Sequence, residues 1–174
     1  MDDSLDTKAL WDISYGLYLV TSVSGGKANG QIVNSVIQVC AEKPRIAVSI
    51  NKENLTHDYI TKSGVLAVSV LEEDTPMTFI GQFGFKTGRD EDKFAKIAYE
   101  KGRTGCPIVT ENALSWFEGK VIGSADAGTH TVFIRRDYGG EGSEEGNPPY
   151  LCAVSAGQKG KGAQECTHLQ GRRG

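Results

Sequence analysis

The chain lacks the features that would settle its class at once. Its four cysteines, Cys40, Cys106, Cys152 and Cys166, are far apart with no Cys-x-x-Cys pair, so an iron–sulfur or structural zinc site lacks its ligand spacing and no metal is expected. No stretch approaches the roughly 18 apolar residues of a spanning helix. The acidic start, Met1-Asp2-Asp3-Ser4-Leu5-Asp6, is not the basic-then-apolar pattern of a secretory signal, and a cytoplasmic location is expected. An excess of positive charge is missing too. The net charge over 174 residues is −3, which disfavours nucleic acid or an anionic membrane surface as partner. A dinucleotide fingerprint is also absent, because Gly81-Gln82-Phe83-Gly84 follows a helix signal where that motif requires a preceding strand.

What is present is a series of short strands. Tyr15 to Ser22 has strand composition and runs into the turn cluster Ser24-Gly25-Gly26-Lys27, which makes a hairpin with the following Asn29–Val39 segment. Pro44 to Asn51, Val65 to Leu71, Ala113 to Ser124 and Thr129 to Ile134 read as further strands. Asp6 to Asp12 can form a short helix. Thr56 is the expected N-cap of another, which Gly64 stops, and Pro76 is the expected first residue of a third with Met77, Phe79, Ile80 and Phe83 as its apolar face. The pattern predicts a mainly β protein, a small barrel with helical decorations rather than a parallel α/β sheet.

Two segments carry the chemistry. Asn34, Ser35 and Gln38 interrupt a β-branched apolar run, which makes sense if a ligand inside needs hydrogen-bond partners. Asn51-Lys52-Glu53-Asn54-Leu55-Thr56-His57 leaves a strand and enters a helix through donor-rich residues, the arrangement an anionic group seeks at a helix N-terminus. Together they imply a phosphate at one end of the ligand and a heteroaromatic ring at the other. Gly88-Arg89-Asp90-Glu91-Asp92-Lys93-Phe94 reads as a mobile charged loop. Cys106, before Pro107, has no base spaced to activate it and is expected to pack.

After Ile134 the texture changes. Residues 135–174 are Gly-rich with almost no apolar period, the composition of a disordered tail. Read one base later with freely chosen synonymous codons, the same stretch admits a strand-like alternation and then a basic, proline-containing end, which suggests a frameshift near Arg135. His168, inside that tail, is given no role.

Ile13-Ser14-Tyr15-Gly16-Leu17-Tyr18, the Asn29–Val39 segment, Ala47 to Lys52 with Leu55-Thr56-His57, Phe79-Ile80-Gly81, Gly88-Arg89-Asp90 with Asp92-Lys93-Phe94, and Gly128 to Phe133 resemble the flavin-reductase-like FMN-binding split-barrel family. Within it the likeness is to flavoredoxins and the flavin module of high-molecular-weight rubredoxins, and it covers residues 8–134. The resemblance implies a homodimer holding FMN noncovalently and passing electrons from NAD(P)H to flavin, a metal complex or a small redox protein. It also admits an FMN-carrying module without nicotinamide oxidation, or a flavin sensor. On the same footing, Asn51, Lys52, Asn54, Leu55, Thr56 and His57 would hold the phosphate. Ile32, Val33, Asn34, Ser35 and Val36 would follow the ring and ribityl edge, and Gln38 either joins them or faces solvent from the strand's end. His130 would stand near the reactive face, and Arg89 and Lys93 would meet the nicotinamide substrate.

Overall fold

The computed structural model describes residues 7–136 except Lys43, together with Leu151 and Cys152. A 3-10 turn, Thr7–Asp12, leads into β1 (Tyr18–Ser24), β2 (Lys27–Val33), β3 (Val36–Cys40), β4 (Arg45–Asn51), α1 (Leu55–Ser63), β5 (Val65–Leu71) and α2 (Met77–Gly84). Two short strands follow, β6 (Glu100–Lys101) and β7 (Pro107–Ile108), then β8 (Ala113–Ala127), β9 (His130–Arg136) and β10 (Leu151–Cys152). The main sheet is antiparallel in the order β2-β1-β5-β8-β9-β4-β3, with β10 added to β8.

The sheet is curled around its core. Val20 of β1, Val36 of β3, Val48 and Ile50 of β4, Leu66 and Val68 of β5, Phe117 of β8 and Phe133 of β9 form one buried cluster, into which α1 inserts Ile60. Strands from both halves of the order meet there, which a flat sheet cannot achieve. β1 and β5 are buried almost throughout because both of their faces are covered. On the second face Leu19 and Leu71 pack with Phe79, Phe83, Phe94 and Val109, while Val65 and Ala67 pack with Cys106 and Ile108. Thr21 and Ser69 reach the same layer by donating to the carbonyls of Pro107 and Val109.

Several expectations change. The Asn29–Val39 run is two strands, broken at Asn34-Ser35, because the chain leaves one end of the strand order for the other. Asn34 is exposed at that break and Gln38 is exposed on β3, so neither is a buried polar residue of a continuous strand. Thr56 is not the N-cap. Asn54, with extended backbone, occupies that position, and the Asn51 side chain accepts from the Glu53 N–H to set the turn, so the helix begins before Thr56. Likewise Pro76 caps α2 from outside the helix. Gly64 ends α1 as expected, with a left-handed φ of 67° and its N–H on the Ile60 carbonyl. β9 runs to Arg136, past Ile134. Residues 137–150 and 153–174, which hold His168, Cys166 and most of the tail expectation, lie outside the described residues.

Candidate functional site

Since β2 ends the strand order, only one of its edges is paired, by β1. In an antiparallel strand each residue sends its N–H and C=O to the same edge, and alternate residues send theirs to opposite edges. The Gly30 carbonyl accepts from Lys93 Nζ at 3.0 Å, so Gly30 faces the unpaired edge, and alternation sends the Ile32 backbone there as well.

Along that edge runs a cleft of about 300 Å³, bounded by Asn29, Gln31 and Ile32 of β2, the Glu53–Thr56 start of α1, and Phe83 to Gly88 at the end of α2, with Lys93. Asn29 fixes the junction of two walls. Its amide donates to Thr56 Oγ1 at 2.8 Å, with both side chains buried. Gly88 is required beside it, because a Cβ there would lie 2.0 Å from Asn29 Oδ1. The N-terminal turn of α1 presents its backbone donors at the same place.

Lys93 corrects the mobile-loop expectation. It is only 5% exposed, and its ammonium donates to the Gly30 and Phe83 carbonyls, tying β2 to the end of α2. Burial lowers its pKa from 10.5 to about 8. Between about pH 8 and about pH 10.5 the unfolded chain therefore binds more protons than the folded one, and stability from this group rises with pH across that window. Cys106, whose thiol burial pushes up to about 11, acts with the opposite sign. Comparing wild type with Lys93→Met isolates the lysine: the variant's urea midpoint gains less, or loses more, between about pH 8 and about pH 10. The raised value also leaves Cys106 a protonated, buried thiol, as its packing role requires.

Arg89 lies elsewhere. It pairs with Asp58 at 2.8 Å and borders a second opening of about 470 Å³, between the β1–β2 turn, Tyr59, Tyr99 and the Gly88–Asp92 loop. Arg89 and Lys93 thus border two different openings that share Gly88, and Arg89 also donates to the carbonyl of Glu53 in the cleft wall.

The phosphate candidates divide as well. Asn54, Leu55 and Thr56 border the cleft with Ile32. Asn51, Lys52, His57 and His130 gather where β4 and β9 meet. Asn51 is paired with His130, the Lys52 N–H donates to the Thr129 carbonyl, and Lys52 Nζ bonds Asp126 Oδ1 at 2.8 Å. That ammonium holds the Asp126 carboxyl below its usual range. His57 Nε2 is 2.9 Å from Thr131 Oγ1, and burial is the main cause that depresses its pKa, with Lys52 adding to it and Asp58 opposing. His130 Nδ1 meets Thr129 Oγ1 at 2.9 Å. Ser35 adjoins this region through its carbonyl, which accepts from the Ser49 N–H at 3.0 Å. Val36 is a core side chain, and Val33, partly buried, packs against the same cluster.

Sequence reasoning missed Asn29, Gln31 and Phe83 as cleft residues. A signal existed, since Asn29 and Gln31 alternate with Gly30 and Ile32 and so share a face, but the sequence does not say which face is covered.

A family model described as "Flavin reductase like domain" matches residues 10–156. The chain is 48% identical over 130 residues to a ferric-chelate reductase (NAD(P)H) of Archaeoglobus fulgidus, covering 75% of this chain and 77% of that protein. It is 46% identical over 130 residues to a high molecular weight rubredoxin of Moorella thermoacetica, spanning 75% of this chain but only 57% of that protein. Among solved structures, flavoredoxin from Methanosarcina acetivorans superposes with a TM-score of 0.65 at 22% identity, covering 70% of this chain and 65% of the other. That likeness concerns the fold, a split barrel.

Proposed function

The chain belongs to the flavin reductase-like family and is a flavin reductase-like oxidoreductase; from that premise we propose that it binds FMN noncovalently along the free edge of β2 and takes reducing equivalents from NAD(P)H. Free flavin, a metal complex such as a ferric chelate, or a small redox protein is the acceptor. The observation that carries the reading is the cleft itself, in which an unpaired strand edge runs into the N-terminal turn of a helix.

The donor set fits such a ligand. Backbone N–H groups at the start of α1, with Asn54, Leu55 and Thr56 on the cleft side and Asn51, Lys52 and His57 on the β4–β9 side of the same turn, suit a dianionic phosphate. Backbone groups of Ile32, Val33, Asn34, Ser35 and Val36 suit the carbonyl and imide edge of a flavin ring, with Gln38 beyond them on β3. Bound there, FMN supplies the hydride-accepting and electron-releasing chemistry. The residues of this chain do the rest: they hold the phosphate, align the ring against the β2 edge, and set its protonation environment. His130, across from Asn51, is the side chain proposed to orient the donor at the ring, and Arg89 and Lys93 add positive charge on either side of the Gly88 turn. The rubredoxin likeness supports a second reading, an electron-carrying module that turns over neither NADH nor NADPH, and steady-state oxidation of the two by FMN-loaded protein separates them.

Lys52→Ala tests the phosphate assignment. Its side chain is half exposed and its partner Asp126 more so, so removal leaves no buried charge behind. The FMN dissociation constant is expected to rise about tenfold, as for a lost charge-assisted hydrogen bond, while riboflavin, lacking the phosphate, binds unchanged. Equal FMN affinity for wild type and variant removes Lys52 from the site.

The reading includes a cytoplasmic homodimer. Ile37 and Val39, exposed on edge strand β3, support an apolar contact with a second copy. Among the described residues no helix is long and apolar enough to cross a membrane. The frameshift is proposed with it, and DNA sequencing across the Arg135 codon decides it.

A further inference from the structure

Gln31 holds the most conspicuous loose end in the cleft. It shares a face of β2 with Asn29, and both are buried. Asn29 is satisfied by Thr56, whereas Gln31 Oε1 is buried with no hydrogen-bond partner among the described residues. Native folds keep few such atoms, and each calls for a missing donor. Gln31 is 8% exposed and is one of the residues that line the cleft.

Lys93 supplies the complementary half. An ammonium carries three N–H groups. Two go to the carbonyls of Gly30, the residue before Gln31, and of Phe83, and no protein acceptor among the described residues takes the third. A residue with an acceptor lacking a donor and one with a donor lacking an acceptor thus line one cleft, to which Ile32 and Phe83 add apolar surface. A hydroxyl group serves both, since it donates once and accepts.

We infer that Gln31 is a specificity-determining residue for a polyhydroxylated chain: Oε1 accepts a hydrogen bond from a ligand hydroxyl whose oxygen faces the Lys93 ammonium. The inference rests on the flavin reading and assigns this part of the cleft to the ribityl segment. It makes the site selective for flavins that carry the sugar alcohol, independently of the phosphate.

The test compares FMN, riboflavin and lumiflavin, which bears a methyl group in place of the ribityl chain, on wild type, Gln31→Met and Gln31→Glu. Methionine keeps the unbranched shape without the acceptor, and glutamate keeps an acceptor oxygen. In Gln31→Met the dissociation constants for FMN and riboflavin are expected to rise about tenfold, with lumiflavin unchanged. Gln31→Glu retains riboflavin. The thermal midpoint of Gln31→Met stays level or rises, because an unpaired buried carbonyl has been removed. Unchanged riboflavin binding in Gln31→Met, as when a single water fills the site, overturns the inference and leaves the flavin reading standing. Equal weakening of lumiflavin overturns it too, as does an unfolded Gln31→Met, since either makes the role structural. Wild type that binds none of the three flavins overturns both readings.

Discussion

Phe83→Ala is expected to lower the unfolding free energy by about 3–5 kcal/mol, measured as a fall in urea midpoint at constant m-value. Phe83 is fully buried on α2 and stands between two other rings, with centroids 5.3 Å from both Phe79 and Phe94 in tilted and edge-on arrangements. Phe94 extends the stack to Tyr99 at 5.1 Å. Truncation leaves a cavity that these neighbours cannot collapse into, because each is held by the layer it belongs to. Gly30 approaches this ring so closely that an added Cβ would sit 3.4 Å from it. The side chain is also a wall of the cleft. Flavin retention should therefore fall in the same variant, even under conditions where the protein remains folded, and an equilibrium dialysis measurement at low temperature separates the two effects. A variant with wild-type urea midpoint would show that the aromatic layer is dispensable.

Glu118→Ala should cost about 3 kcal/mol or more, because a buried carboxylate is lost together with several charge-assisted hydrogen bonds. Glu118 is a β8 residue, 6% exposed, whose carboxylate accepts from the backbone N–H groups of Arg103 and Thr104 at 2.7 and 2.9 Å and from the Thr104 hydroxyl. It clamps the turn between β6 and β7, where Gly102 is needed because a Cβ would lie 2.3 Å from Glu118 Oε2. That turn leads to Cys106 and Ile108, which cover the outer face of β5. Removing the carboxylate takes the acceptor from two backbone donors and one hydroxyl, all part-buried, and the cover over β5 loosens. Glu118→Gln, which keeps one acceptor oxygen, should recover part of the loss. Hydrogen exchange at the Arg103 and Thr104 amides is the local readout, and unchanged protection there in Glu118→Ala would count against the clamp.

Much of the frame is legible in the sequence. β5 falls where the sequence put it, from Val65 to Leu71, because a β-branched apolar run bounded by Gly64 leaves little choice. The β1–β2 hairpin is set by Gly25 and Gly26, both with positive φ. The family resemblance named the helix start and the segment after Asn29 as the working parts, and both border or adjoin the cleft. Burial within them follows a different pattern from the one the sequence suggests. Asn34 and Gln38 drew attention as polar intruders in a strand, yet they are exposed, while Asn29 and Gln31 are the polar residues that β2 buries. Lys93, read as a surface charge, ends between two carbonyls inside the fold.

The sequence by itself determined most of the local elements, because helix and strand periods and glycine at positive φ act over a few residues, but not the break at Asn34-Ser35 or the residues that cap α1 and α2. It also determined the family, since the motif order survives without reference to neighbours in space. Only the tertiary structure decided which polar groups are buried and which edge is free. Those properties depend on strand order, and strand order joins residues far apart in the chain: β1 pairs with β5, β4 with β9, and β2 is left with an open edge against α1 and α2. An alternating strand states that Asn29 and Gln31 share a face. Whether that face meets water or a closed interior is fixed by elements the strand does not contain.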